Sequence, residues 1–513
     1  MSAPAAEGGG GSLKLNIAAN YAGQLYVGVI GILLVPVYLH IMSAEAYGLI
    51  GFFALLQAWS QLLDLGLSAT VSREAARFAG RTLGAGEFRR LLRSFEWLFW
   101  SLGLLLGAGL ALNAAPIAEA WLHVRELAPG QVRLALQMMA LAVALRWIAS
   151  LYRGVLVGME RQLWLNGFNA LVTTLRFVAV IPLLLLAGAT PVVFFAFQLA
   201  VSVLELAALA WRSYSVARLP EPAALRGSWQ VLRPALRFSA GVGVATVVWV
   251  LVTQADKLVI SGILPLAEYG YFTAAVAAAS AISLLGVAVS QALMPRLTQL
   301  AEQPGPGPFL SLYRSATQWT VTVGGPLTLC LALFAEPLLL AWTGNAAFAA
   351  RYAPVLALYA AGNGFAALAV FPYCIQYARG NLRLHVWGNL VFALVLVPTV
   401  LHVARVHGAI GSGWVWALSN AAFFVFWTPL VHRLFAPGLH ATWLLRDVLQ
   451  VLVGPALIGL AVAATQPWSC SRAEAVLRVA ACGLAMTVAA LAGADGARAR
   501  LRWLYSRRAS RLP

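Results

Sequence analysis

Apolar runs of helix length follow one another along almost the whole chain, each parted from the next by a short connection carrying Arg, Gly or Pro. A transmembrane helix needs ~20 predominantly apolar residues to cross ~30 Å of hydrocarbon. On that criterion the sequence predicts about fourteen spans, beginning near residues 14, 45, 91, 131, 163, 190, 235, 267, 311, 351, 384, 408, 444 and 473. The expected fold is all-α, a polytopic membrane protein.

Polar positions inside these runs recur at helical spacing. Asn16, Asn20 and Gln24 are four apart in the first run, and Gln57, Gln61, Asp64 and Ser68 step by four, three and four in the second. The fifth holds Asn166, Asn169, Thr173 and Arg176, the sixth Gln198, Ser202 and Glu205, the seventh Thr246, Thr253 and Lys257. Residues three or four apart share a helix face. A polar group within a span costs free energy unless it meets a partner or water, so the stripes predict several helices turning polar faces to a common interior.

A longer period overlies the helical one. Tyr47-Gly48 and Tyr269-Gly270 lie 222 residues apart, each just after a short connection carrying Glu45 or Glu268, and Asn169 and Asn389 lie 220 apart. Such an offset points to an internal repeat, which in membrane proteins usually means a transporter with its site at the repeat interface. The expected organisation is a cytoplasmic tail (1–12), two six-helix lobes (13–215 and 235–435) related by a parallel repeat and joined by a linker (216–234), two further helices (436–493), and a basic tail (494–513). The first run lacks a positively charged leader and is too long for a signal segment, so it is expected to remain as the first span.

Composition agrees with the membrane class: 61% of the 513 residues are hydrophobic and 10% charged, with mean hydropathy +0.80. The formal net charge is +17, and the only lysines are Lys14 and Lys257. The arginines gather in alternate connections, for example Arg73 to Arg93, Arg212 to Arg237, Arg379 with Arg383, and the tail from Arg498 to Arg511. Basic loops stay in the cytoplasm, so both termini are expected on the cytoplasmic side of a plasma (inner) membrane, and the charge reads as membrane anchoring rather than nucleic-acid binding. The stretch from Arg73 to Arg93 reads either as a surface amphipathic segment or as a solvated loop. Cys330, Cys374 and Cys482 read as small buried hydrophobes, with no metal-ligand spacing. There is no phosphate-binding Gly-x-x-x-x-Gly-Lys-Ser/Thr loop, and neither a cofactor nor a metal is expected.

The ionisable residues inside the spans carry the candidate chemistry. Arg176 lies thirteen residues into its run, ~20 Å along a helix axis, and Arg146 is similarly central. Arg is suited to bidentate phosphate binding, so Arg146, Arg176 and Lys257 are candidates for a phosphate-bearing substrate, with Asn20, Gln24, Asn166, Asn169 and Gln61 as polar lining. The alternative is that these cations pair with Asp64, Glu205 or Asp256 to hold helices together. Those carboxylates are also the candidates for a coupling proton or cation, Asp64 foremost because Gln57, Gln61 and Ser68 share its face. Asp256 and Lys257, adjacent and about 100° apart on a helix, are not expected to pair. Arg153 and Glu96 are expected to snorkel near the cytoplasmic ends.

The stretch from Tyr47-Gly48-Leu49 through Asp64-Leu65-Gly66-Leu67 to Arg73-Glu74-Ala75-Ala76-Arg77 resembles the second-helix signature of Wzx-type polysaccharide and oligosaccharide flippases. Gly158-Met159-Glu160-Arg161-Gln162, Gln254-Ala255-Asp256-Lys257, Glu268-Tyr269-Gly270-Tyr271 and Met294-Pro295-Arg296 are similar to other segments of that family. The resemblance covers roughly residues 14–435 and extends to the wider multidrug, oligosaccharidyl-lipid and polysaccharide exporter superfamily. It implies a two-lobed transporter, not an enzyme, that moves a polyprenyl-diphosphate-linked oligosaccharide from the cytoplasmic to the outer leaflet by alternating access. Its implied partners are the lipid-linked glycan, the bilayer and a polysaccharide polymerase or assembly machinery. A lipid II flippase and a cation-coupled multidrug extruder are the alternatives, a membrane glycosyltransferase or polymerase a more distant one.

Overall fold

The computed structural model describes residue 23 and residues 26–218, 229–465 and 471–495. Among these the secondary structure is helical throughout. The main helices are α1 (Tyr26–Ile41), α2 (Ala44–Asp64), α3 (Leu67–Ala79), α4 (Ala85–Leu112), α5 (Pro129–Gly158), α6 (Gln162–Ala187) and α7 (Pro191–Ala217). They continue with α8 (Trp229–Ser261), α9 (Leu266–Ala301), α10 (Gly307–Leu333), α11 (Ala335–Thr343), α12 (Ala346–Ala378), α13 (Arg383–Phe435), α14 (Leu439–Ala463) and α15 (Arg472–Gly493). Their ends follow local chemistry: Ser43, Thr190 and Asn345 accept backbone N–H bonds from Ala46, Val193 and Phe348 at 3.2, 3.3 and 3.0 Å. Ser471 and Glu474 form a reciprocal capping box.

Ten of these helices are long and apolar enough to span a membrane, or eleven when α10 and α11, bent by 87°, count as one. The expectation of fourteen exceeds that count at three places. Helix α1 is short over its described part, α8 does not meet the criterion, and α13 runs 53 residues as one element although Gly408 breaks it with non-helical φ 59 and ψ −142. The expected 216–234 linker is also shorter, since α7 runs to Ala217 and α8 begins at Trp229; residues 219–228 lie outside the described ones.

Contacts gather the chain into two compact units that divide between Gly270 and Tyr271. In the first, Phe88, Phe95, Phe99 and Trp147 join α4 and α5 in a buried core, with the Phe99 and Trp147 rings stacked at 4.5 Å. In the second, Leu297, Tyr313, Phe371, Ile375, Val431 and Trp443 are the centre of the core. Cys330, Cys374 and Cys482 are free and buried, as expected of small hydrophobes.

The two Tyr-Gly pairs occupy the same register, each beginning three residues into its helix, α2 from Ala44 and α9 from Leu266. Gly48 and Gly270 face each other: a Cβ on Gly48 would sit 2.3 Å from the Leu266 carbonyl oxygen, and one on Gly270 2.4 Å from that of Ala44 and 2.9 Å from the Gly48 nitrogen. The motif is a close-packing device. Beside it the buried Glu45 carboxylate accepts the backbone N–H groups of Arg125, Glu126 and Leu127 at 2.7, 2.8 and 2.9 Å, folding the 113–128 connection around itself.

The segment Arg73 to Arg93 is two helix ends joined by a turn, and the part on α3 is amphipathic, with Glu74 and Ala75 buried and Arg73 and Arg77 exposed. Helix α2 stops at Leu65 and Gly66, both left-handed (φ 39 and 79), and α3 resumes at Leu67. It packs on α5, where Gly154 and Gly158 form a small-x-x-x-small seam that lets backbones approach closely. A Cβ on Gly158 would lie 2.1 Å from the Ser72 carbonyl oxygen. The turn is confined to Gly80–Gly84, and Arg89, Arg90 and Arg93 already belong to α4. Gly158→Ala is expected to lower the thermal unfolding midpoint of the detergent-solubilised protein by the equivalent of about 1–3 kcal/mol, as overpacking does. Gly167→Ala, where nothing lies within 4 Å, should be neutral or slightly stabilising.

Candidate functional site: an arginine cluster in the first unit

Helices α2, α5, α6 and α7 bring the sequence-predicted polar stripes together. Arg146 on α5 donates from Nε to Ser202 Oγ at 3.0 Å and from Nη2 to Gln198 Oε1 at 2.7 Å, while its Nη1 donates to Gln57 Oε1. The guanidinium carbon lies 4.7 Å from the centre of the Phe53 ring. All these partners are neutral, and among the described residues no carboxylate lies within ion-pair distance of Arg146. Five N–H donors serve three acceptors, which leaves two available.

Arg176 sits on a π-helical turn of α6, Leu175–Ala179. Such a turn releases backbone carbonyls from the regular ladder, and here the Gln198 amide donates to the Arg176 carbonyl at 2.9 Å and the Tyr38 hydroxyl to that of Phe177 at 2.6 Å. Gln198 thereby links Arg146 to Arg176. The Arg176 side chain pairs with Glu205, whose other oxygen takes Arg153 at 2.6 Å. Glu205 is buried, its side chain 4% exposed, against 17% for Arg176 and 39% for Arg153. The hydrogen-bonded cluster thus holds three guanidinium groups against one carboxylate.

This arrangement settles several expectations about individual contacts. Arg176 takes the helix-pairing alternative with Glu205, and Arg146 does not. Arg153 is not a snorkelling residue, because Glu205 is within reach one helix away. Glu96 is buried too, accepting hydrogen bonds from Tyr152 at 2.9 Å, Arg93 at 2.8 Å and Tyr214. Lys257 does pair with its neighbour Asp256, at 3.3 Å, and its Nζ donates to the Thr253 carbonyl at 2.6 Å. The four-carbon stem bends back along the helix surface, which the 100° argument from Cβ directions ignored. No contact joins Lys257 to the arginine cluster; it lies one turn from Ser261, which accepts the Trp121 indole N–H at 3.0 Å.

Asp64 does not share a continuous helix face with Ser68, because α2 ends between them. Its carboxylate accepts the Ser68 hydroxyl, and the Ser68 N–H at 3.2 Å, at the start of α3; Ser68 Oγ also lies 3.1 Å from Ser150 Oγ, whose own hydroxyl donates to the Trp147 carbonyl at 2.6 Å. No cation is within ion-pair range of Asp64. Gln61 is exposed, Asn169 half-buried, and the Asn166 side-chain nitrogen is buried without a hydrogen-bond partner. Asn20 and Gln24 lie outside the described residues. The pairing of Arg153 and Glu205 went unread in the sequence, where Glu205 lies on a stripe and Arg153 near a span end, because a stripe shows a face and not the opposing helix.

The fold is that of transporters of the multidrug, oligosaccharidyl-lipid and polysaccharide (MOP) superfamily. The chain superposes over 93% of its length on 98% of a lipid II flippase MurJ in an inward closed conformation, with TM-score 0.72 and 13% identity. It matches an inward-facing MATE-family multidrug resistance transporter with TM-score 0.59 and 14% identity, over 80% of this chain and 95% of that one. A third match is a MOP superfamily transporter from Pyrococcus furiosus described by a reversed polarity of its binding pocket, with TM-score 0.52, 13% identity and coverage of 82% and 96%. No curated protein sequence matches. The profile of the family described as "Polysaccharide biosynthesis protein" matches residues 13–301, more than half of the 513. The chain belongs to that family of polysaccharide and oligosaccharide flippases, multi-pass membrane proteins that act on lipid-linked substrates.

Glu205 is a buried carboxylate shared by two partly exposed cations, Arg176 and Arg153, so its removal leaves both unpaired. Glu205→Gln is expected to destabilise the purified protein by about 3–5 kcal/mol, read as a fall in unfolding midpoint and in membrane abundance. Asp64→Asn, which strands no cation, should lower the same midpoint by much less.

Proposed function

We propose that this protein flips a polyprenyl-diphosphate-linked oligosaccharide from the cytoplasmic to the outer leaflet of the plasma (inner) membrane for cell-surface polysaccharide synthesis. The observation that carries the reading is Arg146, a guanidinium inside the helical bundle that has only neutral partners and two unspent donors. Buried charges are ordinarily paired, and a cation kept without a counter-ion is suited to an anion that comes and goes. Arg176 and Arg153, sharing one carboxylate, add to the positive field, and it remains in excess even with Asp64 ionised. The diphosphate is taken to meet Arg146 and Arg176, and the sugars the amides of Asn166, Asn169, Gln61, Asn20 and Gln24, while the polyprenyl chain stays in lipid. Lys257 serves a later position in the path. Alternating access is the proposed cycle.

Of the candidate coupling carboxylates, Glu205 and Asp256 already have cations, which leaves Asp64 as the preferred one. A lipid II substrate is the second reading, favoured by the greater share of the chain that matches MurJ than matches the MATE fold. A basic cluster fits poorly with efflux of organic cations.

In proteoliposomes, Arg146→Ala is expected to slow flipping of diphosphate-linked sugar at least tenfold with normal abundance, and Arg146→Lys, which keeps the charge but not the fork, to rescue it incompletely. In the same vesicles Asp64→Asn should remove the response to an imposed pH or sodium gradient. Wild-type rates for Arg146→Ala would sink the phosphate-binding role, and a preference for lipid II over lipid-linked oligosaccharide would select the second reading. Fourteen spans with both termini cytoplasmic are proposed from the arginine pattern; reporter fusions at Ala436 and Gln466 should then report inside and outside respectively.

A further inference from the structure

The second unit contains a buried chain of titratable groups at the joint between α13 and α14. Only Ala436–Gly438 separates the two helices, and Gly438 takes φ +81 to turn the chain. Across this joint His432 Nδ1 lies 3.1 Å from His440 Nδ1, and on its other side His432 Nε2 lies 2.8 Å from the Tyr313 hydroxyl of α10. His432 and Tyr313 are fully buried, whereas His440 is half-exposed. The group is walled by Trp443, whose ring lies 4.9 Å from that of His432 and whose indole N–H donates to Thr317 Oγ1 at 2.8 Å.

Hydrogen counting fixes the direction of this chain. Each of the two contacts holds one hydrogen. With the Tyr313 O–H donating to His432 Nε2, His432 must carry its own proton on Nδ1 and donate it to His440 Nδ1, leaving the His440 Nε2–H to point outward. Every buried hydrogen then has an acceptor. The reverse direction strands the Tyr313 hydroxyl hydrogen, which has no second hydrogen-bond partner among the described residues. A proton added to His440 Nδ1 meets the His432 Nδ1–H head on. Either the histidine contact opens, or the chain reverses and the tyrosine hydrogen is orphaned.

We propose that His432 and His440 form a proton-binding site, with His440 the solvent-facing end, and that proton uptake there loosens the seat of α14 on α13 and α10. The other charged and titratable groups near the site do not substitute for it. Arg433 and Arg446 are exposed on the same two helices, Cys374 of α12 is a buried thiol, and Asp447 is fully buried and neutralised by Arg314 through bonds of 2.7 and 3.0 Å, with Gln318 at 2.8 Å. The function of the site is to make the attachment of the last two helices respond to pH, independently of the arginine cluster in the first unit.

The sign follows from linkage. A native arrangement that rejects a proton which the unfolded chain accepts is stable above the histidine titration range and weakens as pH falls through it. The unfolding midpoint of the purified full-length protein should therefore drop by several degrees between pH 8 and pH 5. His440→Asn places an amide oxygen near the former Nδ1 position and cannot titrate, so it should flatten that drop. Parallel pH profiles for wild type and His440→Asn would overturn the proposal. A second measurement reads the proton positions directly: nitrogen-15 histidine spectra at pH 8 of the wild type, assigned with variants that lack the histidines outside this pair, should find His432 protonated on Nδ1 and His440 on Nε2. A His432 protonated on Nε2 would equally overturn it.

Discussion

A guanidinium placed among apolar helices brings five N–H groups in need of acceptors, and the polar side chains near Arg146 are arranged around that demand. Ser202 and Gln198 on α7 and Gln57 on α2 hold Arg146 in place, and Phe53 offers its ring face. The same Gln198 amide turns its other end to the carbonyl that the π-helical turn of α6 leaves open. One side chain therefore satisfies an excess of donors on one helix and an excess acceptor on another. The neutrality of the Arg146 shell leaves its charge uncancelled, where a carboxylate in the same place would have neutralised it.

The second unit handles buried charge in the opposite way. Asp447 meets the Arg314 fork and the Gln318 amide, so the carboxylate is closed on itself. Beside it Tyr313, His432 and Trp443 are packed ring against ring. The result is a structural core with local proton chemistry rather than an anion site. Basic interior character belongs to one unit, although the overall charge of +17 is spread along the whole chain.

Helical spacing and apolar run length made the fold class readable, since both are properties of a single helix. The polar stripes located Gln57, Gln198, Ser202 and Glu205 as inward-facing for the same reason, and Arg146 stood out by its central position in its run. What escaped was whatever depends on a second helix or on a backbone deviation. Arg153 and Glu96 sit near span ends, where a snorkelling reading is sound until the opposing Glu205, Tyr152 and Tyr214 are known. The break at Leu65 and Gly66 divided a stripe that spacing alone had joined, and made a packed helix of Leu67–Ala79 where charge density suggested a surface segment. Lys257 reached its neighbour because its stem is long enough to ignore the direction of its Cβ. The histidine pair was missed because its members lie eight residues apart across a helix joint, a separation that no single-helix period brings together.

The π-helical turn at Leu175–Ala179 holds one residue more than an α-helical path requires. Each residue advances an α-helix by about 100°, so this surplus sets the angular phase of everything beyond it. Loss of a single residue there would still leave a helix long enough for the bilayer, and hydropathy would register almost no change. The face of Val180–Ala187 would nevertheless turn by about a quarter of a circle relative to the arginine end. Alignments of relatives that place a gap in this segment would therefore mark a change in which side of α6 faces α7 and the arginine cluster, a shift in geometry written as one missing letter.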